Sequence, residues 1–210
     1  MAPDSAPFTL ARATEADMAE VARLCWLSFP QFVRDLLMGC PTEDDLPRSA
    51  ARFREEMRTD HYAVWVKVVD NATGKIAAAS RWRVFPGATA PDPAEEALPW
   101  LEGEAREKAQ GLLDEMSDGR RQHNPEGYVH LHIMFTGEEH RRQGAGEMMM
   151  QWGTDAADAL AVPGWVEAST EGNFLYARHG FKEVGKVKSG GTFMRREPKA
   201  IGRVGGRVKA

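Results

Sequence analysis

The spacing of apolar residues along the chain alternates between the two-residue period of strands and the longer period of amphipathic helices. Apolar and β-branched runs predict strands at Phe8–Ala13, Tyr62–Asp70, Lys75–Val84, Tyr128–Thr136, Trp165–Ser169, Phe181–Val187 and Thr192–Arg195. Helical stripes follow Thr14 and Thr42, and further stripes lie at Pro99–Ser117, Glu147–Leu160 and Gly172–His179. This order, βααββ(α)βαβαββ, predicts an α/β fold with a single mixed sheet and helices on both faces.

Local signals support several boundaries of these elements. Thr14 with Asp17, and Thr42 with Asp45, have the spacing of capping boxes, which begin helices. Asn71–Gly74 lies between two predicted strands and predicts a hairpin turn. We therefore expect the first helices to begin at Thr14 and Thr42.

The longest connection, residues 85–127, opens with proline and glycine and then carries the helix predicted at Pro99–Ser117. Long structured connections are more often functional than idle. Trp82, Phe85 and Trp100 border this insert, where they either line an amine pocket or belong to the core. We predict one domain over residues 1–197. A basic tail over 198–210 lacks periodicity and is expected to be flexible.

Composition narrows the class of protein. The net charge is −4 with 42% apolar residues, which favours a globular domain and argues against a nucleic-acid-binding surface. Two cysteines form no disulfide framework, and Met1–Phe8 lacks a secretory pattern. No apolar run reaches bilayer length. We expect a cytoplasmic protein without a membrane partner, and the oligomeric state stays open.

The sequence Arg141–Gly146 lies where a strand passes into a helix. The first N–H groups of a helix have no internal partner, and the helix dipole is positive there. Glycines allow the backbone to approach an anion closely, and two arginines add charge. The run matches neither a nucleotide P-loop nor a dinucleotide fingerprint. It predicts a pyrophosphate cradle; the alternative is a glycine turn that merely starts a helix.

His130 and His132 are two residues apart on a predicted strand, so they are expected on one face, with Leu131 and Ile133 on the other. Histidine titrates near neutrality and can accept a proton from an ammonium group. The alternative is a pair of hydrogen-bonded histidines in a solvated cleft. A metal site is disfavoured, because no third ligand lies nearby in the sequence.

Two motifs carry a family resemblance. Arg141, Gly144 and Gly146 fill the pattern Arg/Gln-x-x-Gly-x-Gly/Ala, and Tyr176 precedes Gly180-Phe181 by four residues. With the element order, these features resemble the GCN5-related N-acetyltransferase (GNAT) superfamily over Phe8 to Arg195. Gly137-Glu138 departs from the His-Pro often found there, which changes loop stiffness but removes no donor.

The resemblance implies acetyl-CoA as co-substrate, no metal, and a sheet that splays near Val129–Thr136. The pantetheine arm would pair with the backbone at Phe135 and Thr136. Asn173 would contact the pantetheine or be an ordinary helix residue, and Tyr176 would protonate the departing thiolate or only pack. The pyrophosphate would be held by the N–H groups of Arg142, Gln143, Gly144, Ala145 and Gly146.

The run Val-His-Leu-His also resembles the strand of serotonin (arylalkylamine) N-acetyltransferase, whose His-x-His pair relays protons from the amine. The implied function is transfer of an acetyl group from acetyl-CoA to a primary amine by direct attack. A small or arylalkyl amine is favoured. The alternatives are acetylation of a peptide or protein, and a regulatory domain that binds acyl-CoA without turnover.

Overall fold

The computed structural model describes residues 6–87, 98–188 and 190–199. A single seven-stranded sheet has the order β1-β2-β3-β4-β5-β7-β6. All strand pairs are antiparallel except β4 and β5, which are parallel. The strands are β1 (Phe8–Arg12), β2 (Ala63–Asp70), β3 (Ile76–Phe85), β4 (Tyr128–Thr136), β5 (Gly164–Ala168), β6 (Lys182–Lys186) and β7 (Thr192–Arg196).

Helices flank the sheet, which confirms the predicted α/β architecture. They are α1 (Met18–Ser28), α2 (Gln31–Val33), α3 (Leu46–Thr59), α4 (Gly103–His123), α5 (Ala145–Leu160) and α6 (Asn173–Arg178). Both predicted capping boxes form: the Thr14 and Thr42 N–H groups donate to Asp17 and Asp45 Oδ2 at 2.7 and 3.1 Å. Each box begins with a 3₁₀ turn that leads directly into α1 or α3.

Two segments differ from the predicted pattern. After Pro30 the chain forms α2 and a π-helical turn at Arg34–Met38, where the sequence indicated no further helix. The helix predicted at Pro99–Ser117 instead spans Gly103–His123. Its end carries Arg120 and Arg121, whose positive charge suits the negative end of a helix dipole.

Two of the predicted segments extend beyond the described residues. Residues 88–97 of the insert and 200–210 of the tail lie outside the described residues. Lys199, near the start of the tail, donates its backbone N–H to Asp158 Oδ1 at 2.7 Å.

The two faces of the sheet bury separate cores. Helix α5 covers one face, while α1 and α3 cover the other around Trp65 and Phe135. A Cβ on Gly153 of α5 would lie 2.1 Å from the ring of Trp82, so only glycine lets the helix sit on this indole. Trp82 is thus a core residue, not part of an amine pocket. Phe85 is also buried, in a third cluster packed by α4.

Strand β4 contains a β-bulge at His132. Ile133 lies opposite Arg81, whereas Leu131 lies opposite the next β3 residue, Trp82, so His132 is extra. A bulge interrupts the alternation of side chains. Leu131 therefore packs in the α5 core and Ile133 against the α1 core, so the prediction that both face one way is wrong.

The bulge also coincides with the divergence of β4 from β5. Parallel pairing covers only Val129–Leu131 of β4 and Gly164–Val166 of β5, although β4 continues to Thr136. Beyond Leu131, β4 pairs with β3 alone. The predicted splay is therefore present, and it begins at the bulged His132, directly after the last paired residue, Leu131.

Candidate active site

The glycine turn leads into α5 as the sequence indicated. Gly144 is the N-cap of α5 and has a φ of 100°, a left-handed conformation that favours glycine. The N–H groups of the first turn, at Ala145, Gly146 and Glu147, have no acceptor within the helix. Arg141 and Arg142 are exposed and form no ion pair within the described part of the chain. Positive charge and open donors meet here, as a pyrophosphate requires.

The two glycines of the turn are required for different reasons. A Cβ on Gly144 would meet no atom of the described residues within 4 Å, so the constraint at this position is conformational. A Cβ on Gly146 would lie 3.3 Å from Leu175 Cδ2 on α6, which is tighter than ordinary van der Waals contact. Gly146 thus lets α5 and α6 approach each other beside the open N–H groups.

The unpaired edge of β4 offers backbone groups next to this turn. The Gly137 N–H donates to Ala77 O at 2.9 Å, which identifies a hydrogen-bonded pair at the end of the β3–β4 ladder. Such pairs alternate along antiparallel strands. Phe135 therefore directs its backbone groups to Ala79, whereas Met134 and Thr136 direct theirs to the open edge. A pantetheine arm would thus pair with Met134 and Thr136; the sequence indicated Phe135 in place of Met134.

Helix α6 carries Asn173 and Tyr176. The Asn173 Oδ1 atom is buried and has no hydrogen-bond partner within the described ranges of the chain, so it is available to a donor from a bound molecule. Tyr176 is half-buried against the α5 core, with its ring 6.3 Å from that of Phe181. Burial raises the pKa of Tyr176 to about 12, which keeps its hydroxyl protonated.

His130 and His132 are neighbours. Their ring centroids are 5.5 Å apart in an edge-to-face arrangement. His130 is 2% exposed, and burial lowers its pKa against the opposing effect of Glu167. Burial and the positive charge of Arg81 hold the pKa of His132 well below its usual range. Both rings are therefore neutral near pH 7, and His130 is the stronger base of the two.

A carboxylate that the sequence did not single out holds His130. His130 Nε2 lies 2.7 Å from Glu167 Oε2 on β5. Glu167 Oε1 accepts hydrogen bonds from Arg120 at 2.8 Å and from the Trp165 indole at 2.7 Å. Burial opposes ionisation of Glu167, but His130 and Arg120 outweigh it and lower its pKa to about 2. The only sequence signal was a lone acid within a short apolar strand.

Arginines of β3 border the histidine face. Arg83 lies directly opposite His130 and forms an ion pair with Asp60, with 2.9 Å between Nε and Oδ2. Arg81 lies opposite Ile133, next to the bulge, and pairs with Glu56 of α3. Paired arginines thus surround the histidines with positive charge, which disfavours their protonation at rest.

The predicted site residues fall on both faces of the sheet. His130 shares a face with Tyr128, whose ring lies in the cluster packed by α4. Tyr176 packs on the α5 face. The two groups can therefore act on one molecule only through the gap where β4 leaves β5. Glu138 and Glu139, next to the turn, are exposed.

The described residues contain neither a membrane-spanning helix nor a cluster of metal ligands. None of the described helices is both long and apolar enough to cross a membrane. No group of three or more His, Cys, Asp or Glu side chains in the described ranges is arranged to hold a metal ion. Both cysteines are buried and unpaired, Cys25 in the α1 core and Cys40 beside Thr42.

Comparison with solved structures gives the same fold. Arylalkylamine N-acetyltransferase 2 from Aedes aegypti is 13% identical and has a TM-score of 0.65, with 91% of this chain and 99% of that chain covered. A histone acetyltransferase HPA2 and related acetyltransferase from Corynebacterium glutamicum is 18% identical, covering 92% and 97%, with a TM-score of 0.61. The PaiA N-acetyltransferase from Thermoplasma acidophilum, solved with coenzyme A, is 6% identical, covering 90% and 98%, with a TM-score of 0.53.

Sequence comparison identifies the family. No curated protein sequence matches the chain. The model of the acetyltransferase (GNAT) family matches residues 31–181, which include the glycine turn, both histidines and Tyr176. That match covers well over half of the chain, and the sheet order and the helices agree with it. The chain therefore belongs to the acetyltransferase (GNAT) family.

Proposed function

We propose that this protein transfers an acetyl group from acetyl-CoA to a primary amine, with His130 as the proton acceptor and no covalent enzyme intermediate. The observation that carries the proposal is the pair of adjacent histidine rings beside the splayed edge of β4. This edge runs toward the N-terminus of α5, so one extended molecule can reach both. A direct transfer needs no nucleophile from the protein, and both cysteines are buried in or beside the α1 core.

Acetyl-CoA fits the residues that face the gap. The N–H groups from Arg142 to Gly146 and the Arg141 side chain would hold the pyrophosphate. Met134 and Thr136 would pair with the pantetheine as an added strand does, and the buried Asn173 Oδ1 would accept from one of its amides. Bound in this way, acetyl-CoA supplies a thioester as the acyl donor. An N–H of the β4 edge would polarise its carbonyl.

The histidines would receive the proton of the attacking amine. His132 is the more exposed of the two and lies on the bulge, where it is nearer to an incoming substrate. His130 lies deeper, against Glu167, which stabilises the ring once it is protonated. A proton would pass from the ammonium through His132 or water to His130. Neutral rings at pH 7 are ready for this role.

Tyr176 would assist the departing sulfur from the other side of the sheet. A phenol with a pKa of about 12 is a weaker acid than a thiol, whose ordinary pKa is about 8.5. Complete proton transfer to the thiolate is therefore uphill at this site. The hydroxyl acts mainly as a hydrogen-bond donor to the developing negative charge, and the effect of removing it is correspondingly modest.

A small or arylalkyl amine is the favoured acceptor. The highest of the TM-scores compared above belongs to an arylalkylamine N-acetyltransferase, and the chain itself carries the His-x-His pair. Helix α4 packs with Leu112 and Met116 against the cluster next to His130, which restricts the room for an extended peptide. Acetylation of a peptide or protein is the second candidate, since a ribosomal-protein-S18-alanine N-acetyltransferase shares the fold.

Turnover with a panel of amines tests the proposal. Arylalkylamines, aliphatic diamines, lysine peptides and peptide N-termini are each incubated with acetyl-CoA. Release of CoA thiol and the mass of the product are recorded together. We expect acetylated product with at least one small amine. Product with peptides alone would favour the second candidate. Acetyl-CoA binding without product from any amine would indicate a regulatory domain.

A further inference from the structure

Glu167 has three hydrogen-bond partners from three different parts of the chain. Its Oε1 accepts from Arg120 of α4 at 2.8 Å and from Trp165 of β5 at 2.7 Å, and its Oε2 lies 2.7 Å from His130 Nε2 of β4. The Glu167 side chain is only 9% exposed. An ionised carboxylate is an acceptor only. The proton of the neutral His130 ring must therefore be on Nε2.

The other ring nitrogen then holds a lone pair. His130 Nδ1 is buried and has no hydrogen-bond partner among the described residues. We propose that Glu167, held by Arg120, fixes His130 in the Nε2–H tautomer, so that Nδ1 is the atom that accepts the amine proton. Glu167 and Arg120 are positioning residues, and this role rests on the proposed function of His130 as base.

A positioning role for Arg120 gives the long insert, residues 85–127, a specific function in proton transfer. Arg120 lies in the last turn of α4, inside the connection 85–127 that interrupts the strand order. Its guanidinium is mostly buried against Glu167. Removing one partner of a buried ion pair leaves an uncompensated charge. The insert thus acts on the chemistry through a carboxylate, without any need for α4 to touch the amine.

Several charged groups act on His130 together. Glu167 raises its pKa, whereas Arg120 and Arg83 lower it. Tyr128 and His132 from the same strand complete the titratable surroundings. Removing Glu167 or Arg120 should therefore move the protonation of His130 in opposite directions. A purely structural role for these residues predicts no such opposition.

Glu167→Gln is the sharpest test, because its amide has a forced orientation. Arg120 and Trp165 are both donors, so the Gln carbonyl oxygen would face them and the NH₂ would face His130. An amide N–H donates, so the His130 proton would move to Nδ1, the atom needed as acceptor. We expect kcat to fall roughly 10²–10⁴-fold, the range for loss of a general base, with acetyl-CoA affinity unchanged.

The tautomer can be measured without any activity. Ring ¹⁵N shifts of His130 should indicate Nε2–H in the wild type and Nδ1–H in Glu167→Gln. An Nδ1–H ring in the wild type, or a ring that stays Nε2–H in a folded Glu167→Gln variant, would overturn the proposal. If that variant does not fold, the wild-type spectrum and the pH profile of Arg120→Gln below still decide.

The acid limb of kcat/KM against pH supplies the second measurement. In Glu167→Gln the acid limb should move to lower pH, because His130 loses a negative neighbour that raises its pKa. In Arg120→Gln the limb should move to higher pH, because His130 loses a positive neighbour that lowers its pKa. Arg106→Gln is the matched control, because Arg106 is exposed and lies on α4, as Arg120 does. The acid limb of this variant should not move. An unmoved limb in both active-site variants contradicts the proposal. If His130→Ala leaves turnover intact, His130 is not the base of the reaction. The tautomer measurement then still tests whether Glu167 fixes the His130 ring in the Nε2–H form.

Discussion

The turn before α5 and the histidine face of β4 would serve one reaction, but the chain builds them in different ways. The turn is one uninterrupted run, Arg141–Gly146, and its donors are backbone groups. The histidine face combines His130 with Glu167, 37 residues away, and with Arg120, which is 47 residues from Glu167. Affinity for the acyl donor is therefore encoded locally, whereas proton transfer depends on correct tertiary packing. Variants in the two regions should change different kinetic quantities.

The largest effect expected on the histidine face comes from His130→Ala. Loss of a general base lowers kcat roughly 10²–10⁴-fold. The base must be neutral, and its pKa lies below the ordinary value, so wild-type activity should fall only as pH drops through that lowered pKa. The variant should lose this acid limb. Steady-state rates against pH measure both effects, and calorimetry should give unchanged acetyl-CoA affinity.

His61→Ala is the matched control for this variant, because His61 is exposed and outside the site. Its profile should equal that of the wild type. A His130→Ala enzyme with wild-type kcat and the same acid limb would show that His130 is a structural residue only. The histidine face would then have no part in proton transfer, and only the turn would keep a proposed role.

An intermediate effect is expected in the turn, from Gly146→Val. The branched side chain would press on Leu175, where even a Cβ is 3.3 Å from Cδ2, and would enter the space beside the open N–H groups. Losing one hydrogen bond to a charged phosphate costs about 1.5–3 kcal/mol. Acetyl-CoA affinity should therefore fall roughly 10- to 100-fold in a calorimetric titration.

Gly111→Val is the control, since Gly111 is an exposed glycine of α4 with no atom near its added Cβ. Its affinity for acetyl-CoA should be unaltered. Unchanged acetyl-CoA affinity in Gly146→Val would mean that the pyrophosphate does not bind at this turn. A fall in kcat at unchanged affinity would instead mean that the two regions are not separable.

The smallest effect is expected from Tyr176→Phe. Tyr176 lies on the α5 face of the sheet, across the gap from the histidines. Removal of one neutral hydrogen-bond donor costs about 0.5–1.5 kcal/mol, so kcat should fall about tenfold at most. The alkaline limb should not move, because a pKa of about 12 lies beyond the usual assay range. Melting temperature should change little, since the ring and its packing stay.

Tyr62→Phe, at an exposed tyrosine outside the site, should leave kcat unchanged. A loss of several hundredfold in Tyr176→Phe would contradict the hydrogen-bonding role and indicate full proton transfer. Wild-type kcat would make Tyr176 a packing residue.

Sequence periodicity predicted the strands, the sheet class and the neighbourhood of His130 and His132, because those signals are local. It could not predict Glu167 as a partner of His130, since only the parallel pairing of β4 with β5 brings their strands together. The role of Arg120 was hidden for the same reason. The bulge at His132 was also missed, because the sequence was assumed to alternate strictly along the strand and one extra residue carries no local signal.

That bulge constrains how the sequence can change over time. It shifts the phase of β4 by one residue, so that Leu131 serves the α5 core and Ile133 the α1 core. Because the extra residue is His132 itself, deleting it would restore strict alternation and leave the flanking side chains on their present faces. Replacing the residue would leave the phase intact. Residue 132 is therefore a position of β4 at which the sequence can change without moving either core, so new acceptor chemistry can arise there by substitution without refolding the sheet.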